Sequence, residues 1–295
     1  MKKLGGTFTM AITPFSGDGR RVEQGVLRDF VDWQIEQKVA GLIPLGSTGE
    51  FLSLTDEERH QVAKTVIDQT RRRVPVVVGT GAESATDVIR YSLDAQELGA
   101  DAVMVIPPFY ATPTDEELYC HYETIAGALS IPVMLYNNPA TANIDMLPAT
   151  IARLSEIPNV SYVKESTLDP TRIREILRLA ADRMAVFGGI MGYESFLNGA
   201  VGWTAVAANA MPRACQDLYR LCVTEPDLAT ARQLYQRITP LIDLVGAHRY
   251  VSATKAVLEL MGLPVGPPRS PRLPFAGEDL AWARRVVADL GLKFR

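Results

Sequence analysis

Along the chain, short apolar runs rich in β-branched residues alternate with longer stretches whose apolar positions recur at helical spacing. Continuous apolar runs are the pattern of parallel strands buried on both faces, and the amphipathic stretches between them suit crossover helices. Strands are predicted at 7–13, 41–46, 74–80, 101–106, 131–136, 160–164, 184–188 and 202–207.

The helical stretches include 22–38, one that opens on Thr55-Asp56-Glu57-Glu58, 85–98 and 114–129. Thr55 and Thr114 each precede a glutamate by three residues, the signature of a capping box. Further helices are expected to begin near Asp145, Asp169, Gly192 and Pro212, where the proline suits a first helical turn. Eight strand–helix units within about 225 residues predict an α/β chain of the (β/α)8 TIM-barrel class. An open doubly wound sheet fits less well, because no GxGxxG fingerprint follows the first strand. Residues 1–225 are read as a barrel catalytic domain and 226–295 as a C-terminal helical extension packed on it. That extension is expected to hold two or three helices, the first interrupted by Pro240, then a proline-rich stretch at 264–274 and a last helix from about Glu278.

Composition narrows the classes of function. The chain has 295 residues, 47% hydrophobic and 22% charged, enough for a large core. Its net charge of −4, with both signs interspersed, offers no positive field for nucleic acid or an anionic membrane. No stretch approaches the ~20 apolar residues that span a bilayer, and Met1-Lys2-Lys3-Leu4-Gly5-Gly6 lacks a signal-peptide core. Cys120, Cys215 and Cys222 have no CxxC spacing and read as reduced residues of a cytoplasmic protein. His60, His121 and His248 form no metal-ligand pair, so no metal site is expected.

In a barrel of this class the chemistry gathers where strands end. Lys164 closes the sixth strand; a desolvated amine there would be neutral and able to attack a carbonyl, although a lysine paired with Glu165 or another carboxylate fits the position as well. Tyr136 closes the fifth strand, ahead of Asn137-Asn138-Pro139, and is either a proton relay or an aromatic cap on the core. Gly46-Ser47-Thr48-Gly49-Glu50 follows the second strand; its hydroxyls and close-approaching amides suit a carboxylate, and a tight turn with a helix cap is the alternative. Pro107-Pro108-Phe109-Tyr110 presents aromatics to a pocket or a subunit contact, and Gly188-Gly189-Ile190-Met191-Gly192 lets backbone approach closely.

Taken together with Ala11-Ile12-Thr13-Pro14-Phe15, Gly79-Thr80-Gly81-Ala82 and Val163-Lys164-Glu165-Ser166, these segments resemble the class I aldolase family of dihydrodipicolinate synthase and N-acetylneuraminate lyase. The resemblance covers nearly the whole chain, and the lysine lies 28 residues after the tyrosine, as in that family. It implies that Lys164 is the Schiff-base lysine, Tyr136 the proton-relaying tyrosine, and Ser47 and Thr48 the hydroxyl pair on the carboxylate of a 2-oxo acid. Gly46, Gly49, Thr141, Gly189 and Ile190 would line the rest of the substrate site. Tyr110 would reach a neighbouring subunit's site, which implies a dimer or dimer of dimers, a homotetramer. The resemblance implies no metal and no organic cofactor.

Two departures concern the distal half of the substrate. Thr141 stands where synthases of the lysine precursor typically carry an arginine, and Ile190-Met191 replace the acidic residues with which sialate lyases hold sugar hydroxyls. Three activities are therefore carried forward: an aldolase or dehydratase acting on pyruvate or a related 2-oxo acid, condensation of pyruvate with aspartate semialdehyde, and non-catalytic ligand binding on a retained fold.

Overall fold

The computed structural model describes residues 3–247 and 249–295, so His248 lies outside the described residues, as do Met1 and Lys2 of the N-terminal run. All eight expected strands form: β1 (Gly6–Met10), β2 (Gly41–Ile43), β3 (Val77–Gly79), β4 (Ala102–Val105), β5 (Val133–Asn137), β6 (Val160–Glu165), β7 (Ala185–Gly188) and β8 (Gly202–Ala205). They belong to one sheet in the order β2-β1-β8-β7-β6-β5-β4-β3. The fold is the (β/α)8 barrel that the alternation predicts.

Eleven helices accompany the strands in the described residues: α1 (Gln24–Glu36), α2 (Asp56–Thr70), α3 (Ala85–Leu98), α4 (Asp115–Gly127), α5 (Pro148–Leu154), α6 (Thr171–Ala180), α7 (Gly192–Leu197), α8 (Pro212–Tyr219), α9 (Leu228–Gly246), α10 (Tyr250–Leu260) and α11 (Gly277–Leu290). Both predicted capping boxes are present, Thr55 with Glu58 and Thr114 with Glu117, each satisfying orphan N–H groups at a helix start. Two expectations change. The helix expected near Asp145 begins at Pro148, because the Asp145 carboxylate is engaged by Asn137 and Arg172 and is not used as a cap. Pro240 does not interrupt its helix: α9 runs through it to Gly246, and the carbonyl that loses its N–H partner belongs to exposed Gln236, on the solvent side.

The chain packs as two compact units. The first takes the N-terminal residues to Gly6 together with Pro75–Thr204, and holds the strands β3 to β7 and most of β8. Val103, Tyr122, Met134, Val163, Phe187 and Trp203 are fully buried in it. The Tyr122 hydroxyl donates to the Val105 carbonyl at 3.2 Å, so the buried phenol is satisfied. Between β5 and β6 the register slips once: Val133 pairs with Val160 but Met134 with Tyr162, leaving Ser161 as a bulge residue.

The second unit comprises Thr7–Val74 and Ala205–Arg295. Here β1 and β2 pair in parallel, with Phe8 opposite Gly41, where an added Cβ would lie 2.2 Å from the Phe8 ring. Buried Gln34 on α1 accepts from Thr9 Oγ1 and donates to the carbonyls of Ala208 and Asn209, while Asn209 Nδ2 donates to the Met10 carbonyl. These bonds satisfy polar groups that would otherwise be costly to bury.

Candidate active site

Past the Ser161 bulge, β5 and β6 are in register so that Tyr136 lies opposite Lys164 and Asn137 opposite Glu165. Both Tyr136 and Lys164 are 5% exposed, and Lys164 Nζ sits 3.8 Å from the centroid of the Tyr136 ring, well inside cation–π range. The phenol oxygen accepts a hydrogen bond from Asn138 Nδ2 at 2.9 Å. An amide donor on that oxygen occupies one of its acceptor sites and orients the phenol.

Glu165 follows Lys164 but, being next in a strand, projects to the other face. Its Oε2 accepts from Asn137 Nδ2 at 3.0 Å and its Oε1 from the Thr167 N–H at 2.9 Å. Fully buried Asn137 also donates to the Met146 carbonyl and accepts from the Met146 N–H. The strand ends are cross-tied as well: Ser166 N–H donates to the Asn137 carbonyl and Gly189 N–H to the Glu165 carbonyl. Lys164 and Tyr136 thus stand on strand ends cross-tied by backbone and side-chain hydrogen bonds.

Gly189 touches these strand ends closely. A Cβ there would lie 1.8 Å from Ser166 Oγ, so no larger residue fits without moving Ser166. Trp203 Nε1 donates to the Gly189 carbonyl and Thr204 Oγ1 to that of Gly188, fixing the end of β7. Ile190 is exposed just beyond it. Asn138 Oδ1 and Ser166 Oγ are buried and carry no hydrogen bond from the described residues, which leaves polar capacity for a bound group.

Tyr110, by contrast, is 86% exposed. Its loop is held through the backbone: the N–H groups of Phe109, Tyr110 and Ala111 all donate to the Glu83 carboxylate at 2.8–3.1 Å, and Asn143 Nδ2 donates to the carbonyls of Phe109 and Tyr110. Burial works to raise the Glu83 pKa, but the three N–H groups and nearby His121 hold it below the ordinary carboxylate value. Thr141 is exposed, with its N–H and Oγ1 both directed to the Asn138 carbonyl.

The 46–50 loop belongs to the second unit. Ser47–Gly49 form one 3₁₀ turn, with Thr48 and Gly49 buried and Ser47 partly so. Thr13 Oγ1 donates to the Gly49 carbonyl at 2.7 Å, and a Cβ on Gly49 would come within 3.0 Å of the Ala11 carbonyl. On either side of the turn Leu45 (φ 60°) and Glu50 (φ 56°) adopt left-handed backbone, uncommon for residues with side chains and held only by surrounding contacts.

Sequence reasoning passed over Asn137, Asn138, Glu165 and Glu83 as functional groups. The tandem asparagines were legible only as a turn ahead of proline, and the glutamates only as neighbours of more conspicuous residues. A polar pair immediately after an apolar strand is the signal that could have found them. Among the described residues no cluster of three or more His, Cys, Asp or Glu could hold a metal ion, and no helix is long and apolar enough to cross a membrane.

Residues 3–289 match the model of the dihydrodipicolinate synthetase family. A 4-hydroxy-tetrahydrodipicolinate synthase of Thermomicrobium roseum is 38% identical over 275 residues, 92% of this chain and 90% of that protein. The corresponding protein of Geobacter sulfurreducens is 36% identical over 97% of this chain and 99% of its own. Among solved structures, the chloride-inhibited dihydrodipicolinate synthase of Acinetobacter baumannii complexed with pyruvate superposes with a TM-score of 0.95 at 33% identity, covering 98% of this chain and all of that one.

Proposed function

We propose, because this chain belongs to the dihydrodipicolinate synthetase family and is a Schiff-base lyase of the class I aldolase type, that Lys164 is its nucleophile and pyruvate or a closely related 2-oxo acid its substrate. The observation that carries the assignment is the stacking of the buried Lys164 amine on the ring of Tyr136, whose hydroxyl is oriented by Asn138. The neutral amine adds to C2 of the 2-oxo acid, and the proton that the added nitrogen gives up passes to the carbonyl oxygen, giving the carbinolamine. Tyr136 then donates to the carbinolamine hydroxyl, which leaves as water and generates the protonated imine. That imine withdraws electrons from C3, so loss of a C3 substituent or proton yields an enamine.

In this reading the hydroxyls of Ser47 and Thr48, with the amides between Gly46 and Gly49, take the carboxylate and extend the proton relay. Thr141, Gly189 and Ile190 border the distal half of the substrate, and Tyr110 acts from the edge of a subunit contact in a dimer or dimer of dimers. The reading carries a cytoplasmic setting, consistent with free thiols at Cys120, Cys215 and Cys222. Sodium borohydride added with pyruvate tests it: one reduced pyruvyl adduct on Lys164 is expected, and an adduct elsewhere or none overturns the assignment.

The names of the relatives favour a second reading, condensation of pyruvate with aspartate semialdehyde. Thr141, without a cation for that substrate's carboxylate, weighs against it. A coupled assay with both substrates decides: turnover establishes the synthase, and adduct formation on Lys164 without turnover leaves the aldolase or dehydratase.

A further inference from the structure

Among the buried charges of the second unit, Glu50 and Lys255 stand out because neither is a site residue and both are 1% exposed. Lys255 Nζ lies 3.0 Å from Glu50 Oε1 and donates to the Pro267 carbonyl at 3.0 Å. The same ammonium sits 4.0 Å from the centre of the Phe15 ring, which also carries the Arg269 guanidinium at 4.2 Å. Glu50 Oε2 accepts from the Arg269 N–H at 2.9 Å. Arg269 in turn binds the Glu58 carboxylate with both terminal nitrogens and donates to the carbonyls of Gly19, Arg20 and Ser53. Gly266 permits this approach, since a Cβ there would fall 2.1 Å from the Phe15 carbonyl oxygen.

Glu50 is the residue that closes the Ser47–Gly49 turn, in left-handed backbone. Its side chain is therefore the direct link between that turn and the α10 helix with its following proline-rich segment. A buried charge pair gives little net stability compared with apolar replacements, so its physical value lies in geometry: each charge tolerates only one position of the other. Burial, opposed by Glu50, pulls Lys255 down to about 8, a sign of how thoroughly the pair is removed from water.

We propose that Glu50 and Lys255 are a positioning couple through which the C-terminal segment fixes the 46–50 loop in its ligand-binding conformation. This rests on the reading of Ser47 and Thr48 as the carboxylate-binding hydroxyls. The couple touches no reacting atom and acts through the position of the loop, first on affinity for the 2-oxo acid and less on the proton relay that Ser47 and Thr48 extend.

The test compares the wild type with Lys255→Met and with the double variant Glu50→Gln/Lys255→Met, which leaves no unpaired charge should the single variant fold poorly. KM for pyruvate is expected to rise about tenfold or more with a smaller fall in kcat, the pattern of a loss that falls mainly on binding. Hydrogen exchange of the Gly49 and Glu50 amides, bonded to the carbonyls of Gly46 and Ser47, is expected to accelerate in the same variants. A folded double variant with wild-type KM overturns the proposal, whether or not exchange changes, because the pair is then purely structural. Borohydride trapping at saturating pyruvate separates the two claims. Absence of a Lys164 adduct in the wild type removes the 2-oxo acid reading, and faster loop exchange in the variants would then still establish the tether.

Discussion

Lys164 and Tyr136 are cross-strand partners on β6 and β5, and the amine of one rests 3.8 Å from the ring centre of the other. In the proposed mechanism the amine is the nucleophile and the phenol the proton donor, and holding both in place before the substrate arrives removes an entropic part of the barrier. The strand ends that carry them are tied through Asn137, Glu165 and Ser166, none of which needs to move.

Replacing the nucleophile while keeping its charge isolates the covalent step. Lys164→Arg retains a cation for the Tyr136 ring but no amine able to form an imine. It is expected to fold, to give no borohydride adduct, and to lose at least about 10³-fold in kcat, worth roughly 4 kcal/mol of barrier. Mass spectrometry and steady-state kinetics with pyruvate measure both effects.

The phenol is tested by Tyr136→Phe, which keeps the ring under the amine. Loss of the positioned proton donor is expected to slow adduct formation by about 10²–10⁴-fold without changing the mass of the adduct finally trapped. Asn138→Ala, which removes the bond to the phenol oxygen, should fall between this variant and the wild type in a time course of trapping.

Stability is more sensitive at Asn137. Asn137→Ala removes a donor from the buried Glu165 carboxylate and both bonds to Met146, and is expected to cost about 2–4 kcal/mol in urea unfolding. Gly189→Ala should cost about 1–3 kcal/mol by forcing Ser166 aside, with a parallel loss of trapping rate at Lys164.

The proposed function makes residue 141 a determinant of specificity. Thr141→Arg supplies the cation that the second substrate's carboxylate lacks, and is expected to lower KM for aspartate semialdehyde by about tenfold or more, the worth of one charge-assisted hydrogen bond. The coupled condensation assay reads this, and pyruvate trapping at Lys164 should stay at its wild-type level.

The pH dependence of stability is set in part by Lys255, which Glu50 from the loop after β2, Glu259 on its own helix and Arg269 from the C-terminal segment all face. Its folded value of about 8 lies below the ordinary 10.5, so between those values the unfolded chain binds the extra proton. Stability therefore rises with pH across this window, by about 3 kcal/mol at most, and the cost of charging the buried amine is fully present below pH 8. Urea unfolding at pH 7.5 and pH 10 should show this rise in the wild type and lose it in Lys255→Met.

Much of the fold was legible because the strands are short, mostly apolar runs and four helices, α2, α3, α4 and α9, open on a side-chain cap; Thr55 and Thr114 are plain in the sequence. Lys164 and Tyr136 were legible as a pair only through the family resemblance, since nothing in either residue alone distinguishes a nucleophile from a core lysine. Long-range satisfaction was not legible. Asp145 reads as a cap until Arg172 and Asn137 arrive from elsewhere, and Glu83 gives no hint that it will bind the backbone beside Tyr110. Lys255 did leave a trace, as a charge inside the apolar stretch Val251-Ser252-Ala253-Thr254-Lys255-Ala256-Val257-Leu258, and a cation there requires a buried partner.

The bulge at Ser161 makes the direction of the amine a matter of odd and even. Were the pairing of Val133 with Val160 carried upward without the extra residue, Tyr136 would meet Val163, and Lys164 would turn to the opposite face, among the helices. Length changes in α5 or its flanking loops leave this parity intact. A single residue gained or lost between Val160 and Lys164 reverses it, so those five positions are where the chain has least freedom to change length.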